Sequence, residues 1–190
     1  MSKIIIRRAN GYDALIIARC VLAAMEILDI DAEVPDDMAI MVKNIELAAS
    51  DSKRLYSCEN SIIAEADGIS VGCIISYDGC NYAALRKRTF DILYEESGID
   101  LRGNPMETVP GEYYLDCMAL KHEYRGKGIG HLLMKAAMAQ GKKIGIKKFT
   151  LLAEKKHERL VEYYSQIGFI PKTNMYAFGT EYVKMEYLSE

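Results

Sequence analysis

The chain has 190 residues, 24 Lys+Arg against 27 Asp+Glu and 50% apolar residues, which suits one globular domain and excludes a disordered chain. No apolar run reaches the ~18 residues of a membrane span. The net charge of −3 argues against a general nucleic-acid binder. Met1-Ser2-Lys3 leads straight into Ile4-Ile5-Ile6, too short an apolar stretch for a secretory signal. The five cysteines (Cys20, Cys58, Cys73, Cys80, Cys117) have no Cys-x-x-Cys spacing and read as reduced thiols, so the expectation is a cytoplasmic protein. His122, His131 and His157 have no Cys or acidic partner at ligand spacing, and no metal site is expected.

In chain order, Lys3 to Arg8 reads as a strand. Leu15, Ile16, Ala18, Leu22, Met25 and Ile27 recur at helical spacing. Pro35 suits the first turn of a second helix, with Met38, Met41, Val42 and Ile45 on one face. Ser61–Ala66, the turn Asp67-Gly68 and Ser70–Tyr77 read as a β-hairpin. Tyr82–Ser97 is a candidate helix, and Gly98–Gly111 is glycine- and proline-rich loop. Tyr113–Leu120 reads as a buried central strand. A glycine-rich turn leads into a helix from about Gly130 to Gly141, with Ile129, Leu132, Leu133, Ala136 and Ala137 as its apolar stripe. Lys148–Ala153 is a strand, His157–Gln166 a helix, Phe169-Ile170 a short strand, Lys172–Thr180 a loop and Tyr182–Leu188 a last strand. This order predicts a mixed α/β fold, one central sheet with helices on both faces.

Tyr124-Arg125-Gly126-Lys127-Gly128-Ile129-Gly130 lies between the central strand and an amphipathic helix. Glycines permit positive φ there, and free N–H groups at a helix N-terminus bind anions. A phosphate or pyrophosphate is the expected ligand. The Gly-Lys-Ser/Thr of a P-loop is absent, and the spacing is not the Gly-x-Gly-x-x-Gly of a dinucleotide site. Charge agrees: residues 121–148 carry eight basic residues and one acidic, a segment of +7 in a chain otherwise at −10.

Arg125, Gly128 and Gly130 fit Arg/Gln-x-x-Gly-x-Gly/Ala, and here the chain resembles the GCN5-related N-acetyltransferase (GNAT) superfamily. Tyr164-Ser165-Gln166-Ile167-Gly168-Phe169 is similar to that family's second motif, Tyr-x-x-x-Gly-Phe, and Asp67-Gly68-Ile69-Ser70-Val71-Gly72 is similar to its N-terminal half. The resemblance covers nearly the whole chain. It implies a single domain over 1–190 with an extended insertion at about 78–111, and a mixed, mostly antiparallel sheet flanked by helices. It also implies acetyl-CoA as cosubstrate, with no metal. The pantetheine arm would lie along the backbone of Met118, Ala119 and Leu120, and the pyrophosphate on Arg125, Gly126, Lys127, Gly128, Ile129 and Gly130. Two positions depart from the pattern. Leu120 and His122 replace a Val-x-Pro, and His157 replaces an Asn expected to contact the cofactor.

The resemblance implies direct attack of an amine on the thioester. Tyr164 takes the family's general-acid position and also borders the cofactor; Tyr163 is its neighbour. Family bases are often acids on the central strand, here Glu112 or Asp116, with Glu154 a third candidate. In a regular strand Glu112 and Asp116 share a face with Tyr114 and Met118, and Cys117 faces the other way as core. A buried Asp116 would have a raised pKa. Asp29, Asp31, Glu33, Asp36, Asp37, Glu95, Glu96 and Asp100 suggest an acidic mouth for a cationic amine, whereas Arg86-Lys87-Arg88 could hold a carboxylate. The expected partner is a small-molecule primary amine. The alternatives are a protein Lys or N-terminus, or a non-catalytic CoA-binding regulatory domain. No nucleic-acid or membrane partner is expected, and the resemblance allows a homodimer.

Overall fold

A computed structural model describes residues 3–189; Met1 and Ser2, part of the leader reading above, lie outside the described residues. The strands are β1 (Ile4–Arg8), β2 (Ser61–Ala66), β3 (Ile69–Asp78), β4 (Glu112–Leu120), β5 (Lys148–Glu154), β6 (Ile170–Ala177) and β7 (Thr180–Leu188). The helices are α1 (Ala14–Ala24), α2 (Ala39–Ala49), α3 (Tyr82–Ser97), α4 (Ile129–Lys143) and α5 (Glu158–Ile167). One seven-stranded sheet runs β1-β2-β3-β4-β5-β7-β6. Every neighbouring pair is antiparallel except β4–β5.

Both faces of the sheet are covered, which is why β2 and β3 are apolar without strict alternation. Ile17, Val21, Ile45 and Phe90 of α1, α2 and α3 pack on Ile63, Cys73, Ile75 and Tyr114. Leu133, Met134 and Ala137 of α4 pack on Ile62, Ile74, Leu115 and Phe149 of the opposite face. No helix among the described residues is long and apolar enough to cross a membrane.

Three expectations are corrected. The Lys172–Thr180 loop is mostly strand: β6 runs to Ala177 and turns to β7 through Phe178 and Gly179 alone. Both have positive φ, +50° and +82°, as a two-residue hairpin turn requires. An edge strand tolerates Pro171 and exposed polar residues, so it carries little sequence signal. The N-terminal helix stops at Ala24, before the Met25 and Ile27 assigned to it. The third correction lies in β4. Ile75 pairs with Cys117 but Ser76 with Leu115, so Asp116 is the extra residue of a β-bulge. Beyond the bulge the faces exchange: Tyr114 and Cys117 join one core, Leu115 and Met118 the other. Glu112 and Met118 therefore do not share a face, and Cys117 does not point away from Asp116.

Candidate active site

The site begins where a ladder ends. β4 and β5 pair only through Glu112–Lys148, Tyr113–Phe149 and Tyr114–Thr150, and then part. On its other side β4 stays paired to β3 as far as Leu120. Lys121 N–H donates to Val71 O, so the backbone of Ala119, two residues back, also faces β3. The alternate residues, Met118 and Leu120, turn their amides toward the gap. Arg125 Nε donates to the Leu120 carbonyl from that side at 2.9 Å.

Below the gap lies a cleft of about 840 Å³ bordered by Met118, Ala119 and Leu120, by Arg125, Gly126, Gly128, Ile129 and Gly130, and by Tyr163. Gly126 and Gly128 have φ of +70° and +78° with open space where a Cβ would project, so backbone conformation, not room, demands glycine. Gly130 is different. Its φ is not in the left-handed region, and a Cβ would meet Tyr163 at an ordinary 3.4 Å. No side chain caps the start of α4. Among the described residues, the N–H groups of residues 126–131 find no acceptor within the chain. They form a row of donors at the positive end of a helix. Lys127 stands outside the lining, with its ammonium 5.5 Å from the Tyr124 ring centroid.

The segment joining α1 to α2 is tied to this loop. His122 N–H donates to Asp31 at 2.6 Å, and the His122 ring and Arg125 meet Asp29 at 3.0 and 3.4 Å. A proline at 122 could not make the first bond. His157 sits at the N-terminus of α5, borders neither large opening, and pairs with Glu26 and Glu154.

On the other side of the gap is a second cavity of about 790 Å³. Its floor holds Asp116, Cys117, Tyr114 and Glu107, and its rim Glu26, Asp100, Glu154 and Lys156. A small pocket lined by Asp116, Cys117, Met118, Leu152 and Tyr164, together with the core residues Ile74, Leu115, Met134 and Leu151, shares lining residues with each opening. Asp116 and Cys117 also line the second cavity, and Met118 also lines the first.

Tyr77 Oη donates to Asp116 at 2.8 Å. Burial, and then the charge of Glu107, push the Asp116 carboxyl up to about 7; the Tyr77 hydrogen bond opposes them. Glu107 is 7% exposed and accepts from Tyr82 and Tyr114, each at 2.7 Å. Burial raises its carboxyl as well. Tyr164 has a phenol pushed up by burial, so it stays protonated at neutral pH. Burial and then the Asp116 charge also push the Cys117 thiol up, which disfavours a thiolate nucleophile.

Glu112 lies outside the cavity lining. It is bound by Lys184 at 2.7 Å, Lys148 at 3.1 Å and Thr108 at 3.0 Å. Burial would raise its carboxyl, but the lysines outweigh that and hold it below the usual range. Of the acids expected at the mouth, only Asp100 lines the cavity. Arg86 donates to the Asn104 carbonyl at 2.6 Å and its charge acts on Glu107, Lys87 pairs with Asp91 and Arg88 with Asp51, and none of the three lines the cavity. Sequence reasoning missed Glu107 and Glu26, which stand in irregular segments without a motif.

A family model described as the acetyltransferase (GNAT) family matches residues 45–169. A solved structure described as an acetyltransferase is 25% identical with a TM-score of 0.77, covering 98% of this chain and 100% of its own. An N-acetyltransferase from Staphylococcus aureus Mu50 is 23% identical with a TM-score of 0.73, covering 96% and 100%. A PaiA N-acetyltransferase from Thermoplasma acidophilum, solved in complex with coenzyme A, is 18% identical with a TM-score of 0.57, covering 98% and 99%. The last two show likeness of fold. No curated protein matches. The family model spans well over half of the chain and includes the parted strands and the glycine loop: the chain belongs to the acetyltransferase (GNAT) family.

Proposed function

We propose that this protein moves the acetyl group of acetyl-CoA to a primary amine of a small molecule, in a ternary complex. The observation that carries the reading is the gap between β4 and β5. A cleft of anion-binding N–H groups is lined by Met118–Leu120 and an acidic cavity by Asp116 and Cys117 of the same strand end, where Tyr164 shares a small pocket with Asp116. A related fold solved with coenzyme A supports the choice of cosubstrate. Acetyl-CoA supplies an activated thioester.

The chain's own groups would do the rest. The N–H groups of residues 126–130, with Arg125, would hold the pyrophosphate, and Lys127, whose ammonium stands outside the lining, would add its charge from nearby. The amides of Met118 and Leu120 would hold the pantetheine arm, and Ala119 would only line it, because its backbone is committed to β3. An amine reaches the site as an ammonium. Asp116 takes its proton, freeing the lone pair that forms the N–C bond as the C–S bond breaks. A carboxyl that titrates near 7 is matched to that transfer. Tyr164 gives its phenolic proton to the departing thiolate and regains one from the second proton that the nitrogen sheds as the amide forms, while Asp116 releases the first to solvent. Segment 79–111 supplies Glu107 and Asp100 to the acceptor cavity, which fits one domain with an acceptor-side elaboration.

The test is thiol release from acetyl-CoA against a panel of amines, amino acids and peptides, with melting temperature as the binding readout. Acetyl-CoA at 100 times its Kd adds about 2.7 kcal/mol of stability. No stabilisation and no thiol release with any acceptor would overturn the reading. Release with peptides alone would move the acceptor to a protein amine.

A further inference from the structure

Five carboxylates line the acceptor cavity: Glu26, Asp100, Glu107, Asp116 and Glu154. The three at the rim have cationic partners in the chain itself. Glu26 pairs with Lys156 and His157, Glu154 with Lys156, and Asp100 with Arg102. The two on the floor do not. The Glu107 carboxylate accepts only from the hydroxyls of Tyr82 and Tyr114, although Lys184 donates to its main-chain carbonyl at 3.1 Å and the charges of Arg86 and Lys184 act on it from nearby; Asp116 accepts from Tyr77 and, at 3.5 Å, the Cys117 thiol. Among the described residues no Lys, Arg or His forms an ion pair with either. Glu112, nearby on β4, shows the usual arrangement, a buried carboxylate held by two lysines.

A buried carboxylate without a counter-ion is costly unless a cation arrives from outside or the group stays protonated. Deprotonating one attacking amine needs one carboxylate, and Asp116 at the gap fills that role. Glu107 remains, buried and facing the same cavity. Around the pair stand tyrosine rings. Tyr56, Tyr114 and Tyr182 line the cavity, and aromatic faces favour an ammonium, whereas Tyr77 and Tyr82 are buried outside its lining. Among the described residues, Lys156 is the one basic residue lining the cavity, and both rim acids beside it engage it. A carboxylate on the acceptor would therefore find no partner.

We infer, resting on the acetyl-transfer reading, that the acceptor is a linear diamine or polyamine: Asp116 receives the amine that is acetylated, and Glu107 holds a second ammonium that stays charged. Glu107 is then a specificity-determining residue, supplied by the loop between α3 and β4.

The experiment uses the full chain with saturating acetyl-CoA. Thiol release is measured for diaminopropane through diaminohexane and spermidine, beside propylamine through hexylamine. The expected result is a kcat/KM for the best diamine about 100-fold above the monoamine of equal length, carried mainly by KM. Glu107→Gln keeps the side chain's shape and is expected to bring that ratio close to one. Equal kcat/KM for diamines and monoamines in the wild type overturns the inference, as does an unchanged ratio in Glu107→Gln. Should that variant not fold, the wild-type series decides alone. Melting temperatures without acetyl-CoA separate the two levels of the argument. Diamines that stabilise the protein where monoamines do not, without thiol release from any amine, keep the cation site and overturn acetyl transfer.

Discussion

The two openings lined by the end of β4 are made of different material. The cleft on the glycine-loop side is built from backbone: orphan N–H groups at the start of α4, two left-handed glycines and the strand amides of Met118 and Leu120. The cavity on the other side is built from side chains gathered from distant places: Glu26 after α1, Glu107 before β4, Asp116 on its bulge and Glu154 at the end of β5. A backbone-made site fixes residue types at fixed spacing, because only glycine reaches those dihedrals cheaply. A site made of side chains fixes only where residues meet in space. The first kind recognises something common to many proteins, and the second is free to change with the acceptor.

That difference decides what could be read from sequence. The glycine loop, the Asp-Gly hairpin and the helices are local patterns and stand near where their spacing predicts, although the first helix ends before Met25 and Ile27, and Leu15 and Leu132 of the expected apolar stripes are exposed. The bulge at Asp116 is not a local pattern. It changes which face each later residue of β4 uses, so parity counting from Glu112 fails at that point. Strand β6 is hidden for another reason. It is an exposed edge, and its register comes from a turn whose first residue is Phe178 rather than Gly or Asn. That turn is held by tertiary contacts: Phe178 N–H donates to Asn104, and its ring packs edge-on against Phe90.

The largest effect should come from β4 itself, where two acids with opposite surroundings lie four residues apart. Asp116→Asn is expected to lower kcat about 10³-fold. In the wild type, kcat/KM should rise with pH through about 7, because the carboxylate is the working form. The variant should lose that limb. Glu112→Gln should do the reverse, leaving the pH–rate profile in place while lowering stability by about 3 kcal/mol through an unpaired Lys184. The sign with pH also differs. Glu112 is held below its usual range, so its contribution is present above the unfolded carboxyl's pKa and is lost on further acidification. Asp116 is raised, so the folded state loses stability as pH climbs from the ordinary carboxylate range to about 7 and carries the full penalty above it. Asn there should raise the melting temperature at alkaline pH. A Glu112→Gln protein that is stable but inactive would exchange the two assignments.

Tyr164→Phe comes next. It should cost about 10²-fold in kcat and leave acetyl-CoA affinity unchanged, measured by titration against melting temperature. The same result from Tyr163→Phe, with Tyr164→Phe silent, would move the acid one residue toward the glycine-loop cleft that Tyr163 lines.

Within the backbone-made cleft, Gly128→Ala forces an L-residue into a left-handed conformation at about 1–2 kcal/mol. The KM for acetyl-CoA should rise about tenfold, with kcat for bound substrates little changed. Gly130→Ala, on ordinary backbone with room for a methyl group, should stay within about twofold. Equal losses at both positions would mean that space, not dihedral angle, sets the glycines.

The smallest effect tests the tie between the two regions. His122 stands where the family pattern has proline, and the backbone there already suits one. Lys121 has φ −54° and ψ +144°, the extended conformation favoured before proline, and His122 opens a short helical turn, where a missing N–H is tolerated. His122→Pro should therefore fold without backbone strain. What it removes is the N–H bond to Asp31 and the ring contacts to Asp29 and to the Arg125 guanidinium. Both carboxylates sit in the connection after α1, whose preceding residues Glu26 and Ile27 border both openings. An exposed hydrogen bond of this kind contributes about 1 kcal/mol, which is about 2–4 °C in melting temperature for a chain of this length. If the tie only fastens the loop, acetyl-CoA KM and acceptor KM should both stay within about twofold. A rise in acceptor KM alone would mean that Asp29 and Asp31 hold the wall of the acidic cavity, so that the backbone-made cleft positions the side-chain-made one.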